Sequence, residues 1–403
     1  MFTEPEKAGF DPARLAPITH PLRRNYIEPG KIAGCQVLVS RHGIPAYYGS
    51  FGSMDLERQK PMRDDTIFRI YSMTKPITSV ALMQLFELGH FQLNDPVSRF
   101  LPEWKDQRVW VSGDGDAMET KAPETPMTFR HVLSHSGGLT YGATNHPGEK
   151  VYRWEGVNRD RTETLSSFIE KLSRVPLRYE PGTAWMYSIS TDVCGALVER
   201  ISGMPFDEYL EENIFKPLDM VDTAFYVAEE KHERFAANYQ RNPDKTLKLI
   251  DDPATSQYNR RPSFFSGGGG LTGTTADYYR FVEMLRNGGE LEGVRILGPR
   301  TLDLMTQNHL AGGKTLTEMA IGAFSETAYD GVGFGLGFAM TLDGVAAGSL
   351  GEGDYYWGGA ASTIFWVDPF EDLTCVFMTQ LMPSATFNFR GQLKNIIYSA
   401  IVE

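Results

Sequence analysis

The chain has 403 residues, of which 41% are hydrophobic and 22% charged, and it carries a formal net charge of −12. Such a composition is typical of a globular protein, and a chain of this length can bury a large core without disulfides or metals. The acidic balance argues against nucleic acid as a partner, because binding a phosphate backbone requires a basic surface. The length allows two average domains, or one mixed domain with a large insertion.

Nothing in the sequence resembles a targeting or membrane segment. The first residues have neither the cationic start nor the apolar core of a signal peptide, and no stretch approaches the roughly 20 apolar residues that span a bilayer. Three cysteines, Cys35, Cys194 and Cys375, lie far apart among apolar neighbours, which predicts buried, unpaired thiols. We therefore expect a soluble, cytoplasmic protein without a membrane partner.

The first ninety residues predict two helices and a hairpin. A helix is expected over 11–28, between the Asp11-Pro12 start and the Pro29-Gly30 stop. Residues 34–40 and 44–51 then read as two strands joined by a turn. Helical apolar spacing follows over 76–88 and stops at Gly89.

The rest of the chain changes character twice. Between about 90 and 260, loop-like segments alternate with short helical patterns at 191–203 and 205–214. A glycine run at 267–270 then leads into a helix over 274–287. Strand-like apolar runs follow at 332–341, 345–350, 361–367 and 373–380, and an amphipathic helix is expected over 389–402.

The simplest arrangement is α/β (α+β), with the N-terminal hairpin and the C-terminal strands paired in one antiparallel sheet. The first and last helices would cover one face of that sheet, and the helix after Ser72 the other. Residues 1–88 together with 260–403 would form an α/β domain, and residues 89–259 a mostly helical inserted domain. A ligand is expected in the cleft between such parts.

The motif Ser72-Met73-Thr74-Lys75 carries the first chemical signal. Proline is tolerated only in the first turn of a helix, so Pro76 places the helix start near Ser72. Residues three apart share a helix face, which brings the amine of Lys75 close to the hydroxyl of Ser72. The helix N-terminus would favour an alkoxide and a neutral amine base. A serine cap followed by a solvated lysine is the alternative interpretation.

Two later motifs supply further candidates. Tyr187, in Tyr187-Ser188-Ile189, precedes a predicted helix, and a tyrosine beside a lysine can shuttle protons. Trp357-Gly358-Gly359-Ala360 precedes a predicted strand, where two glycines let a ligand approach the backbone and its N–H groups could form half of an oxyanion hole. A packed tyrosine and a plain turn with a buried tryptophan are the respective alternatives.

Taken in order, S-x-x-K, Y-S-x and W-G-G resemble the family VIII carboxylesterases, relatives of class C β-lactamases and DD-peptidases. The resemblance extends over roughly residues 8–400. It also includes the connecting segments Ile67–Pro76, His131–Leu139, Gly267–Gly273 and Phe365–Pro369.

The resemblance implies a β-lactamase/DD-peptidase-like fold and roles for individual residues. Ser72 would be the nucleophile, and Lys75 with Tyr187 the coupled general base. The backbone amides of Ser72 and Ala360 would form the oxyanion hole. No metal or organic cofactor is expected, the partner is a small-molecule ester, and the oligomeric state stays open.

Two departures from the β-lactamase pattern bear on the substrate. Trp357-Gly358-Gly359 stands where those enzymes have K-T-G or H-T-G, so the cation and hydroxyl that hold a β-lactam carboxylate are missing. Ile189 stands where they have an asparagine. Both changes predict a more apolar site that suits neutral esters. The candidate substrate-binding residues are Trp357, Gly358, Gly359, Ile189, Tyr141, Trp154 and Trp185.

The leading hypothesis is therefore hydrolysis of short-chain carboxylic esters through an acyl-enzyme on Ser72. A β-lactamase or D-aminopeptidase-like amidase is the enzymatic alternative. A non-catalytic, penicillin-recognising binding module is the alternative of another class. His131 and His135, four residues apart, have the spacing of metal ligands, but the glutamate of H-E-x-x-H is missing and a structural role is favoured.

Overall fold

The computed structural model describes residues 2–322 and 327–402. In that part of the chain the strands, numbered in chain order, are β1 (Gly34–Arg41), β2 (Ile44–Asp55), β3 (Lys60–Pro61), β4 (Phe68–Arg69), β5 (Val109–Ser112), β6 (Glu119–Lys121), β7 (Asn238–Arg241), β8 (Leu247–Asp251), β9 (Thr272–Gly273), β10 (Glu290–Leu291), β11 (Val294–Arg295), β12 (Val332–Phe334), β13 (Ala339–Thr341), β14 (Tyr355–Gly358), β15 (Ile364–Asp368), β16 (Leu373–Thr379) and β17 (Leu381–Met382).

The α-helices, numbered in the same way, are α1 (Pro12–Leu15), α2 (Thr19–Leu22), α3 (Thr74–Glu87), α4 (Phe129–Leu133), α5 (Pro147–Trp154), α6 (Leu165–Leu172), α7 (Ser190–Ser202), α8 (Phe206–Leu210), α9 (Thr275–Arg286), α10 (Pro299–Met305), α11 (Leu316–Met319), α12 (Gly344–Ala347) and α13 (Phe389–Ser399).

Eight antiparallel strands form the main sheet, in the order β12-β13-β14-β15-β16-β1-β2-β3. The N-terminal hairpin β1–β2 joins the C-terminal strands through β1 and β16, with Cys35 opposite Thr379 and Arg41 opposite Leu373. Both central strands are buried along their whole length. The predicted α/β architecture and the pairing of the chain ends are thus confirmed.

Helices cover both faces of the sheet. On one face, Phe389 of α13 packs on Phe377 with ring centroids 4.8 Å apart, and α1 packs beside α13. On the other face lies α9, whose Glu283 accepts a hydrogen bond from the Thr374 hydroxyl at 2.7 Å. The prediction that the helix after Ser72 covers this second face is wrong. That helix, α3, packs mainly against α7. Its side chains are buried on almost all sides, so it has no single apolar face that would lie on the sheet.

Several predicted boundaries need correction. The helix expected over 11–28 is divided into α1, a 3₁₀ turn, α2 and a π-helical turn at Arg23–Ile27. Pro17 and Pro21 lack the N–H that a continuous α-helix requires at those positions. The run 332–341 is two strands, β12 and β13, because the chain reverses between them at Gly337, whose φ is +95°.

The strand expected over 345–350 is wrong, because that segment contains the short helix α12. The Asp343 side chain accepts a hydrogen bond from the Ala346 N–H at its start, and Gly348 ends it with φ +60°. The strand β14 was not predicted. As a result Trp357 and Gly358 end one strand rather than begin the next, and they pair with Phe365 and Ile364 of β15.

All three cysteines are buried and unpaired, and burial raises the pKa of each thiol. Within residues 2–322 and 327–402, no helix is both long and apolar enough to cross a membrane. The division of the chain into two domains stays a prediction.

Candidate active site

Ser72 lies in a 3₁₀ turn, Tyr71–Met73, that leads directly into α3. The preceding residue, Tyr71, has φ +43°, a left-handed conformation that is costly for a residue with a side chain. Its phenol oxygen accepts a hydrogen bond from the Asn238 side chain at 2.9 Å, which helps to hold this turn in place. Pro76 falls in the first turn of α3, as predicted, where its missing N–H costs no hydrogen bond.

The amine of Lys75 is directed at Ser72. Lys75 is 1% exposed, and its Nζ lies 3.3 Å from Ser72 Oγ, 3.1 Å from the Tyr141 oxygen and 2.6 Å from the Gly268 carbonyl oxygen. An ammonium has three protons, and these three acceptors match them. The ring of Tyr187 adds a cation–π contact, with its centroid 4.5 Å from the same nitrogen.

The glycine run 267–270 holds Lys75 from one side, a role that the sequence did not indicate. Besides the Gly268 carbonyl that binds the amine, the Gly268 N–H donates to buried Asp192 at 2.9 Å. A Cβ on Gly267 would lie 2.6 Å from the Thr191 carbonyl oxygen, and one on Gly268 would lie 2.9 Å from the Asp192 carboxylate. The run therefore needs glycine because it packs directly against the start of α7.

Tyr187 is hydrogen-bonded to Trp357. The indole Nε1 donates to the Tyr187 oxygen at 3.1 Å, and Trp357 itself is completely buried. The ring of His135, also buried, lies with its centroid 4.9 Å from that of Tyr187, and its Nδ1 is 3.1 Å from the Ser188 hydroxyl. Burial, with the Lys75 charge, holds the pKa of His135 well below its usual range, so this ring is neutral.

The turn that follows β14 lies against the Ser72 segment. A Cβ on Gly359 would be 2.5 Å from the Ile70 carbonyl oxygen and 2.3 Å from the Thr363 hydroxyl, so only glycine fits there. Among the residues described, the N–H of Ala360 has no hydrogen-bond acceptor. An unused N–H beside a serine is what an oxyanion site requires.

A cavity of about 750 Å³ opens over these groups. Some of the predicted site residues line this cavity and others do not. Ser72, Tyr187, Ala360, Tyr141 and Trp185 line it. Six other candidates are not among the residues that line it: Lys75, Trp357, Gly358, Gly359, Ile189 and Trp154. Trp357 and Ile189 are buried behind the wall, whereas Trp154 is 58% exposed on α5.

The cavity also contains charges that the sequence analysis missed. Two arginines, Arg159 and Arg161, and the buried carboxylate of Glu149 contribute to its lining. The missing K-T-G motif predicted a site without a cation for a substrate carboxylate. The guanidinium groups show that positive charge enters the cavity from a different segment, the loop between α5 and α6.

The histidine pair does not converge on a common point. His131 Nδ1 accepts a hydrogen bond from the Thr128 N–H in a capping box of α4, and burial lowers the pKa of His131 to about 4. His135 faces Ser188 instead. Across the part of the chain that the structure describes, no three His, Cys, Asp or Glu residues form a group that could hold a metal ion.

Comparison with known proteins identifies the family. The sequence profile of the beta-lactamase family matches residues 22–396. The chain belongs to the beta-lactamase family. It is accordingly an enzyme of the serine hydrolase type, and its fold is the one expected from the three motifs.

Three relatives of this beta-lactamase-family protein are informative. Esterase EstB of Burkholderia gladioli is 31% identical over 395 residues, covering 93% of both chains. Acyltransferase calJ of Penicillium decumbens is 29% identical over 334 residues, covering 80% of this chain and 78% of the relative. The solved structure of EstCE1, a hydrolase with promiscuous acyltransferase activity, is 28% identical with a TM-score of 0.80, covering 96% and 99% of the two chains.

Proposed function

We propose that the protein is a carboxylesterase that hydrolyses short-chain esters through an acyl-enzyme on Ser72. The observation that carries the proposal is the position of Lys75 Nζ, 3.3 Å from Ser72 Oγ, beside a cavity of about 750 Å³ that Ser72 and Tyr187 line. Such a volume suits a small organic ester. The similarity to proteins named as esterases supports the same class of reaction.

In the proposed acylation, Ser72 Oγ attacks the carbonyl carbon of the ester and loses its proton to the Lys75–Tyr187 pair. The negative charge that develops on the carbonyl oxygen is held by the N–H groups of Ser72 and Ala360. The carbon–oxygen bond to the alcohol then breaks, and the pair returns the proton to the departing alkoxide. The products of this step are an acyl-serine and a free alcohol.

Within that pair, we assign the proton to Tyr187 and a lasting charge to Lys75. Three acceptors surround the Lys75 amine, and they stabilise an ammonium better than a neutral amine. The Tyr187 oxygen already receives a hydrogen bond from Trp357, which favours the negative form that takes the serine proton. Lys75 then acts by lowering the energy of the serine alkoxide.

Deacylation follows the same route in reverse, with water as the nucleophile. Tyr187 takes a proton from the water, whose oxygen attacks the acyl carbon, and Ser72 recovers that proton as it leaves. An alcohol can replace the water, in which case the acyl group is transferred to a new ester. The promiscuous acyltransferase activity of EstCE1 and the size of the cavity, which exceeds a short acyl chain, support acyl transfer as a second activity.

The amidase alternative is disfavoured by Trp357. In the β-lactamase pattern this position provides a cation that faces the substrate, whereas here a fully buried indole binds Tyr187 instead. The non-catalytic alternative is disfavoured by the arrangement of Ser72 and Lys75. A binding module has no need of a buried amine directed at a serine hydroxyl.

The test is turnover of p-nitrophenyl butyrate and nitrocefin, side by side, by the wild-type protein. We expect cleavage of the ester to be faster by at least about 10²-fold in kcat/KM, because the Trp357 position, where β-lactamases hold the β-lactam carboxylate, supplies no cation here. With 1-butanol present, butyl butyrate should form as well. The reverse preference would establish the β-lactamase alternative, and inertness toward both would favour the binding module.

A second prediction concerns Trp357 as a positioning residue for Tyr187. Trp357→Phe removes the donor to the Tyr187 oxygen, and loss of a hydrogen bond to a charged group predicts a fall of about 10-fold or more in kcat, with KM nearly unchanged. Trp366→Phe is the matched control. Trp366 is equally buried, on the neighbouring strand, but its ring points to the opposite face of the sheet. Equal kcat losses in both variants would show that Trp357 serves only packing.

A further inference from the structure

Among the residues that the structure describes, the charged side chains that line the cavity are two guanidinium groups and one carboxylate. Glu149 is 1% exposed, and one of its oxygens accepts a hydrogen bond from the Thr144 N–H at 2.8 Å. Arg159 and Arg161 supply the positive charge. The described part of the lining is thus positive in balance, although the protein as a whole carries a net charge of −12.

Of the two arginines, Arg161 is already bound by the protein. Its Nη2 donates to the Phe225 carbonyl oxygen at 2.8 Å and to that of Arg260 at 3.3 Å. Its guanidinium also lies 4.4 Å from the centroid of the Tyr258 ring. Arg161 therefore stiffens the wall, and its Nη2 is engaged by the two carbonyl oxygens.

Arg159 is different. Within residues 2–322 and 327–402 its guanidinium makes no hydrogen bond and no ion pair, and its contact is with the face of the Tyr141 ring, 4.8 Å from the centroid. Desolvation lowers the pKa of Arg159, but the carboxylate of Asp192 and nearby tyrosines raise it above its ordinary value. The cavity therefore contains a permanent charge whose five donors are available to a ligand.

The position of Arg159 relative to Ser72 is fixed by a chain of contacts. Lys75 links Ser72 to Tyr141, because its Nζ binds both Ser72 Oγ and the Tyr141 oxygen. Arg159 stacks on the ring of that same tyrosine. A group bound to Arg159 is thus separated from the serine by about the length of one tyrosine side chain.

We propose that the preferred substrate is an ester that also carries a carboxylate, and that Arg159 binds this carboxylate. The inference rests on the proposed esterase function and specifies the class of ester. A planar guanidinium binds a carboxylate through two parallel hydrogen bonds, a geometry that an ammonium does not offer. The contact chain requires several bonds between the carboxylate and the ester carbonyl. A doubly charged phosphate fits less well, because the carboxylate of Glu149 lines the same cavity.

The carboxylate can belong to the acyl part or to the alcohol part of the ester, and matched substrates separate these sources. For the alcohol part, the pair is 4-(butanoyloxy)benzoic acid and 4-(butanoyloxy)benzamide. For the acyl part, the pair is phenyl hydrogen adipate and phenyl methyl adipate. Within each pair the reacting ester is the same, and the negative charge is the main difference.

The measured quantity is the ratio of kcat/KM for the acidic member of a pair to that for its neutral member. In the wild type we expect a ratio of about 10 or more for one of the pairs, and Arg159→Gln should lower it about 10- to 100-fold, the effect of losing a charge-assisted hydrogen bond. Arg300→Gln, which removes an arginine that is 95% exposed on α10, should leave the ratio unchanged. A ratio near 1 for both pairs, or an acid preference that survives Arg159→Gln, would overturn the proposal.

A binding measurement separates this proposal from the esterase assignment. Titration calorimetry on Ser72→Ala with 4-hydroxybenzoate, 4-hydroxybenzamide and adipate requires no turnover. At least one acid should bind about 10-fold more weakly when Arg159→Gln is added. If neutral and acidic esters are all inert but this difference in Kd holds, the proposed activity fails while the anion site stands. If esters are hydrolysed but Arg159→Gln changes the Kd of neither acid, the proposed anion site is refuted while the esterase assignment stands.

Discussion

Replacement of Ser72 by alanine is expected to lower kcat/KM for p-nitrophenyl butyrate by about 10³-fold or more. An effect of this size is typical when the nucleophile is removed from catalytic residues that act together. Ser72 Oγ is the hydroxyl that lies against the buried Lys75 amine on the cavity wall. The substitution removes one oxygen atom from a residue that is 8% exposed, so the fold should persist. Initial rates at saturating and limiting ester measure the effect.

Ser79→Ala is the matched control for this substitution. Ser79 lies on α3, seven residues after Ser72, is also buried, and its hydroxyl has no hydrogen-bond partner among the described residues. Wild-type rates in Ser72→Ala would refute the whole assignment. Mass spectrometry after a brief reaction adds an independent readout, because the wild-type protein should gain one butanoyl group and Ser72→Ala should gain none.

The second large effect is expected for Tyr187→Phe, which should lower kcat by about 10²-fold or more, the usual contribution of general acid–base catalysis. The variant keeps the ring that packs against Lys75, Trp357 and His135, and it removes the oxygen that accepts from Trp357. Since the ring contacts remain, KM should change little. Single-turnover rates would show whether acylation, deacylation or both are slowed.

Tyr209→Phe controls for the loss of a buried phenol. Tyr209 is 5% exposed on α8 and lies outside the residues that line the cavity. A small kcat loss in Tyr187→Phe, comparable with that of Tyr209→Phe, would contradict the assignment of the proton to Tyr187. Lys75 would then be the base, and Lys75→Met should show the larger loss.

Much of the fold follows from the sequence because its periodic elements are long and cleanly bounded. The hairpin at 34–51, the helix after Ser72 and the strand at 373–379 all agree with their predictions to within a few residues. The failures occur in short apolar runs such as 345–350, where four residues do not distinguish a helical turn from a strand. The placement of the helix after Ser72 against the sheet was also mispredicted, since α3 is buried on nearly all sides and shows no preferred face.

In the candidate site, local spacing predicted the proximity of Ser72 and Lys75, because residues three apart share a helix face. The convergence of Tyr187 and Ala360 on the same cavity depends on tertiary packing, and it was expected only from the family resemblance. Arg159 had no local signal at all. It follows α5 in an irregular segment, and its relation to Ser72 is created by the Tyr141 ring between them.

The pairing of β1 with β16 has a consequence for biogenesis. The Thr379 hydroxyl donates to the Gly34 carbonyl oxygen at 2.7 Å, so the centre of the sheet joins segments that are synthesised 345 residues apart. Closing so long a loop carries a large entropic cost, and topologies dominated by such contacts fold slowly. Until the last strands leave the ribosome, β1 presents an unpaired apolar edge. Unpaired strand edges are prone to aggregate, so we expect the nascent chain to be more aggregation-prone than the finished surface would indicate.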